Sequence, residues 1–185
     1  MDTDTGWLSG VRRVESPNCD DRPPGSILEL IVVHGISLPP GEFGGSSIDD
    51  LFSNQLVAAD HPYFEKIVHL RVSSHTLISR TGEITQYVPF QMRAWHAGES
   101  CHRDRTQCND FSVGIELEGT DESQYEPVQY ERLAALVREL RRAYPSLKDA
   151  DIVGHSNIAP GRKTDPGACF EWPLLYRALE RSGEE

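Results

Sequence analysis

Two hydrophobic patterns dominate the chain, one continuous and one alternating. Residues 27–34 (ILELIVVH) form a nearly unbroken β-branched and leucine run, which predicts a strand covered on both faces. Residues 111–118 (FSVGIELE) alternate strictly. That predicts a strand with Phe111, Val113, Ile115 and Leu117 inward and Gly114, Glu116 and Glu118 on the opposite face. Between them, residues 73–80 and 83–88 read as a hairpin turned at Thr81-Gly82. A helix is predicted after Pro127, where Tyr130, Leu133, Val137, Leu140 and Tyr144 recur at helical spacing until Pro145 stops it. Residues 47–54 predict a short helix with Ser47 as N-cap, residues 151–153 a short strand, and residues 171–181 a closing helix striped by Trp172, Leu175 and Leu179. The order strand, hairpin, strand, helix, strand, helix predicts an α/β fold in which helices pack on a mixed sheet.

The polar stretches between these elements carry the chemistry. Residues 37–45 (SLPPGEFGG) are too rich in Gly and Pro for regular structure and read as a long loop, a lid over any site beside it. Residues 154–167 (GHSNIAPGRKTDPG) read as an ordered loop outside the core. It holds an imidazole, an ammonium and a carboxylate on backbone stiffened by Pro160 and Pro166. His155 and Asp165 are candidate metal ligands, but a zinc site needs a third. His34, at the C-terminal end of the buried run, is the best candidate, because α/β sheets place ligands at such strand ends. The alternating strand offers two carboxylates on one face, and periodicity does not choose between Glu116 and Glu118. His75 reads as a core-edge histidine with a hydrogen-bond partner. Trp95, in the segment RAWHAG, is an aromatic in a loop, either packed or open to a ligand.

Composition narrows the class. With 185 residues, 38% hydrophobic and 25% charged, the chain fits one globular domain, 1–185, with a substantial core. Its net charge of -11 opposes nonspecific binding to nucleic acid or to an anionic membrane. No apolar run reaches bilayer length, and residues 1–10 lack a signal-peptide pattern, so a cytoplasmic protein is expected. The four cysteines follow no common metal-binding rhythm, Cys101-His102 with Cys108 included, and free thiols are expected.

Four blocks carry a resemblance: VVHGISLPPGEFGG, RAWHAG, CNDFSVGIELEGTD and GHSNIAPGRKTDPG. In this order they resemble the zinc amidases that act on muropeptides, and among them the cytosolic AmpD-type anhydro-N-acetylmuramoyl-L-alanine amidases. The likeness runs from about Trp7 to Trp172. It implies a mixed central sheet flanked by helices, with Zn2+ in a surface groove held by His34, His155 and Asp165. It implies Glu116 as the catalytic carboxylate and Lys163 as the group that stabilises the transition state. The implied substrate is a small muropeptide, cut between muramic acid and L-alanine by a monomer in peptidoglycan recycling. Trp95 suits a sugar face, and Arg71, Arg105, Arg103 and Arg162 are candidates for substrate carboxylates or local positive charge. A recognition module that binds muropeptides without cutting them is the competing class, and it would tolerate loss of a ligand. Gly35 stands where AmpD-type sequences more often carry Asn, which removes an amide from the expected substrate contacts.

Overall fold

A computed structural model describes residues 1–181. The strands are β1 (Arg12–Arg13), β2 (Cys19–Asp21), β3 (Leu30–Ile36), β4 (Thr76–Ile78), β5 (Ile84–Gln86), β6 (Met92–Ala94), β7 (Cys101–His102), β8 (Arg105–Thr106), β9 (Ser112–Glu118) and β10 (Asp151–Gly154). The helices are α1 (Ser47–Phe52), α2 (Phe64–Ile67), α3 (Pro127–Ala143), α4 (His155–Ile158) and α5 (Trp172–Glu180). Six strands form the central sheet in the order β1-β5-β4-β9-β3-β10. All its pairs are parallel except β4–β5, so the sheet is mixed as the element order predicts. Helices flank it.

The continuous run begins its strand later than expected. Ile27 is exposed, and pairing starts at Leu30, where both faces become covered. On one face, Ile31, Val33, Val113 and Ile115 meet Leu133, Val137 and Leu140 of α3 and Leu175 of α5. On the other, Leu30 and Val32 pack with Ala97, Cys108, Phe111 and Ile158. Deleting one such buried leucine costs about 2–5 kcal/mol. The hairpin strands are shorter than their sequence windows, because only Thr76–Ile78 and Ile84–Gln86 pair regularly. The Ser47 N-cap assignment is off by one: Ser46 occupies that position, and its hydroxyl donates to the Asp50 carboxylate at 2.8 Å instead of capping a helix N–H.

Two local devices fix the strand ends around the site. Gln129, in the first turn of α3, accepts the Glu126 N–H at 2.9 Å and donates to the carbonyls of Ile78 and Glu118 at 3.2 and 3.0 Å. The helix start is thereby tied to β4 and β9. His75 is fully buried, and its Nδ1 accepts the Gly114 N–H at 3.0 Å, a structural use that matches its reading as a satisfied core histidine. All four cysteines are free. Among the described residues no helix is long and apolar enough to cross a membrane.

Candidate metal centre

The site sits at the C-terminal ends of three neighbouring parallel strands. β3 supplies His34, β9 supplies Glu116, and β10 runs straight into α4, whose first residue is His155. His34 and Glu116 are register partners, so their side chains leave the sheet on one face. The stretch 154–167 is not all loop. Gly154 N–H is held by Asn157 Oδ1 at 2.8 Å, Ala159 N–H bonds the His155 carbonyl at 3.0 Å, and one helical turn results. That turn buries His155, Ile158 and Ala159, against the expectation of a wholly non-core segment. Its return is fixed by Ser156 N–H donating to the Asp165 carbonyl at 3.0 Å.

Three donor atoms converge there. His34 Nδ1 and His155 Nδ1 are 3.0 Å apart, and each lies 3.1 Å from the same oxygen, Asp165 Oδ2. His155 Nε2 faces the Ala97 carbonyl at 3.2 Å, and a carbonyl only accepts, so the proton of the neutral ring sits on Nε2 and Nδ1 is bare. Burial pushes the His34 pKa down to about 4, with Asp165 opposing, so His34 is neutral near pH 7. Burial raises the Asp165 pKa, but the His155 and His34 imidazoles beside its Oδ2 outweigh that and hold it below the usual carboxylate range. Two imidazole nitrogens and a carboxylate oxygen thus crowd together with too few protons to satisfy them. A small cation satisfies all three, and two His with one carboxylate is a donor set that suits zinc with an open position.

Glu116 and Glu118, which periodicity left equivalent, have different environments. Glu118 is spent on the backbone: its carboxylate accepts the N–H of Gly44, and that of Arg80 at 3.1 Å. It anchors the 37–45 loop. Glu116 is only 8% exposed, and its Oε2 has no hydrogen-bond partner. Burial pushes its pKa well above the carboxylate range, Asp165 adds to the rise, and Lys163 opposes it. A buried, unpaired carboxyl beside a donor cluster makes Glu116 a candidate for chemistry.

The centre opens into a groove of about 360 Å³. Lys163, Trp95 and Glu116 line it with an apolar wall that includes Leu38, Phe52 and Leu70. Trp95 Nε1 donates to Asp20 at 3.1 Å, which fixes the indole. A larger cavity of about 580 Å³ is lined by Gly44, Gly45 and Glu118, but its buried carboxylate is already spent on backbone groups.

The arginines are placed elsewhere. Arg71 caps the Val68 and Leu70 carbonyls at 3.3 and 3.1 Å. Arg105 pairs with Glu29 and lies 3.9 Å over the Phe111 ring, and Arg103 pairs with Asp151 at 2.8 Å; both line a separate cavity. Arg162 donates to the Ala97 and Glu99 carbonyls, with 2.6 Å to Ala97. As placed, the four guanidinium groups serve the chain's own carbonyls and carboxylates instead of lining the groove.

Two groups escape a sequence reading. Tyr125 donates to the Pro166 carbonyl at 2.9 Å, beside Asp165, and a Cβ on Gly35 would fall 2.2 Å from its hydroxyl oxygen. The space above Gly35 is therefore filled by Tyr125. In RAWHAG, attention falls on Trp95, yet its neighbour His96 is the one that touches His34, at 2.9 Å.

Comparison with known proteins identifies the family and the fold. Residues 23–168 match the family described as N-acetylmuramoyl-L-alanine amidase. The chain is 57% identical over 176 residues to the 1,6-anhydro-N-acetylmuramyl-L-alanine amidase AmpD of Salmonella typhimurium SL1344, covering 95% of this chain and 93% of that one. It is similar to the crystal structure of a selenomethionine derivative of AmpD, with 54% identity and a TM-score of 0.93 over 97% of this chain and 99% of that one. It is also similar to AmpDh3 from Pseudomonas aeruginosa in complex with an anhydromuramic pentapeptide, with 29% identity and a TM-score of 0.62 over 84% of this chain and 61% of that one.

Proposed function

The chain belongs to the N-acetylmuramoyl-L-alanine amidase family, and from that premise we propose that it is a zinc enzyme cutting soluble anhydromuropeptides in the cytoplasm. The bond hydrolysed is the amide joining 1,6-anhydro-N-acetylmuramic acid to L-alanine, the reaction named for its relatives in peptidoglycan recycling. The observation that carries the reading is the meeting of the His34, His155 and Asp165 donor atoms with an unpaired buried carboxyl, Glu116. One domain, acting as a monomer, suffices, because the whole set comes from one chain.

His34, His155 and Asp165 would hold zinc, which when bound supplies Lewis-acid chemistry and makes water acidic enough to react near neutral pH. Glu116 accepts the proton of the attacking water and delivers it to the departing alanine nitrogen. Its raised proton affinity suits both halves of that transfer. The Lys163 ammonium lines the same groove, free to face the negative charge that grows on the carbonyl oxygen. Trp95 and the apolar wall take the less polar face of the anhydro sugar and keep water from it.

The deciding experiment compares kcat/KM for an anhydromuropeptide and for the same peptide on a reducing sugar, with intact sacculi as a third substrate and mass spectrometry of the products. Preference for the anhydro form, with release of a peptide beginning in L-alanine, is expected. Equal values for the two sugars would remove the recycling role and leave a general muropeptide amidase.

A further inference from the structure

His96 of RAWHAG and the CND just before the alternating strand are given no part in the reaction described above. Both nevertheless reach the metal centre from behind. His34 turns Nε2 away from the donor cluster onto His96 Nδ1 at 2.9 Å. His96 Nε2 lies 3.1 Å from Ser112 Oγ, and Ser112 Oγ lies 2.5 Å from the Cys108 carbonyl oxygen. His155 turns its own Nε2 onto the Ala97 carbonyl.

A carbonyl oxygen has no proton to give, and that fixes the direction of every bond in the chain. The Ser112 hydroxyl must donate to Cys108, so its oxygen accepts the His96 Nε2–H. Neutral His96 then has a bare Nδ1, which accepts the Nε2–H of His34. His34 is left with a bare Nδ1, aimed at His155 and Asp165. The Ala97 carbonyl does the same for His155 in one step.

One side chain places both ends of this arrangement. Asn109 Oδ1 accepts the N–H of His96 at 3.1 Å and of Ala97 at 2.8 Å. Opposite, a Cβ on Gly114 would fall 2.4 Å from His96 Cγ, so only glycine leaves room for the ring. Gly114 pairs with Val32, two positions before His34 on its strand, so the sheet itself seats His96 behind the ligand.

We propose that Asn109, His96 and Ser112 form a frame that sets the tautomers of both histidine ligands, so that each presents Nδ1 to the metal. The inference rests on reading the centre as a zinc site, and it makes these three positioning residues: Asn109 and Ser112 lie off the groove, and His96, on its wall, acts through His34. Outer partners of metal-bound histidines typically carry about 10–100-fold in affinity.

The test measures zinc dissociation constants by chelator competition, the thermal midpoint of each metal-free protein, and the visible spectrum with cobalt in place of zinc. His96→Leu and Asn109→Ala are expected to weaken zinc binding 10–100-fold and to alter the cobalt spectrum. His96→Asn is expected to recover most of the affinity, because its amide oxygen stands near the position of Nδ1 and still accepts from His34. A packing role alone predicts the reverse order, with the apolar isostere as good as Asn or better. Ser112→Ala removes a single oxygen and guards against misfolding: nitrogen NMR of the zinc-free protein should show His96 losing its single tautomer. Wild-type zinc affinity in His96→Leu and Asn109→Ala, or an unchanged His96 tautomer in Ser112→Ala, would overturn the frame while sparing the amidase reading. A wild-type protein that binds no zinc would overturn both.

Discussion

His34 and Glu116 face each other as register partners on adjacent parallel strands, β3 and β9. A candidate metal-ligand position and a carboxyl with no hydrogen-bond partner are thereby held by backbone ladders, on two strands buried throughout except at Gly35 and Ile36. In the proposed reaction, a base so placed would need little reorganisation during catalysis.

One zinc per chain is expected. Metal analysis after dialysis should give a stoichiometry near one for the wild type, and chelation should abolish activity until zinc is restored. His34→Ala and His155→Ala should each lower occupancy sharply. Full occupancy of the double variant would show that the metal sits elsewhere.

The two carboxylates of β9 should separate by kinetics. Glu116→Ala is expected to lose about 10²–10⁴-fold in kcat while zinc content is retained. Glu118→Ala strands the N–H groups of Gly44 and Arg80, so its cost should fall on stability, about 1–3 kcal/mol, and on KM through the loosened loop. The opposite pattern would exchange their roles.

Glu116 also sets a pH dependence of stability in the metal-free protein. Its folded pKa lies above the unfolded value of about 4.3, so its favourable contribution is full below that pH and is lost as pH rises toward the folded pKa. Glu116→Gln has no such loss. Its thermal midpoint relative to wild type should therefore climb between pH 4.5 and pH 8, with each kcal/mol moving the midpoint by about 2–4 °C. A difference that is flat with pH would show that Glu116 titrates normally.

Gly35 and Tyr125 should couple. Gly35→Ala forces the Tyr125 ring aside and breaks its bond to Pro166, at a cost of about 1–3 kcal/mol. Tyr125→Phe removes the clashing oxygen and should be milder alone. In the double variant the Ala penalty is expected to shrink by about 1 kcal/mol, which a double-mutant cycle of denaturation midpoints reads directly. Strict additivity would mean that the two side chains do not meet.

Trp95→Ala should raise KM for the anhydromuropeptide more than for the reducing-sugar analogue, narrowing the preference between them. Loss of one aromatic face is worth about 0.5–1.5 kcal/mol beyond its area, so a change of roughly 2–10-fold is the scale to look for. An unchanged ratio would take Trp95 off the sugar.

The sequence by itself determined the elements whose signals are local. Strict alternation requires a strand at 112–118, helical spacing ended by Pro145 requires α3, and Gly with Pro forbids regular structure at 37–45. The His34, His155 and Asp165 set was legible through the four-block resemblance, because each residue sits inside a recognisable motif. What tertiary structure alone decided are properties of neighbours distant in the chain. Glu116 and Glu118 are equivalent by period two, and they separate only because Gly44 and Arg80 arrive to use up one of them. The arginines look like carboxylate clamps until Glu29, Asp151 and backbone carbonyls engage them. His96, Asn109 and Ser112 carry no periodic signal, since a proton relay depends on which atoms lie 3 Å apart across strands and loops. Gly35 reads as a missing amide in one dimension, and in three it is the space that Tyr125 fills.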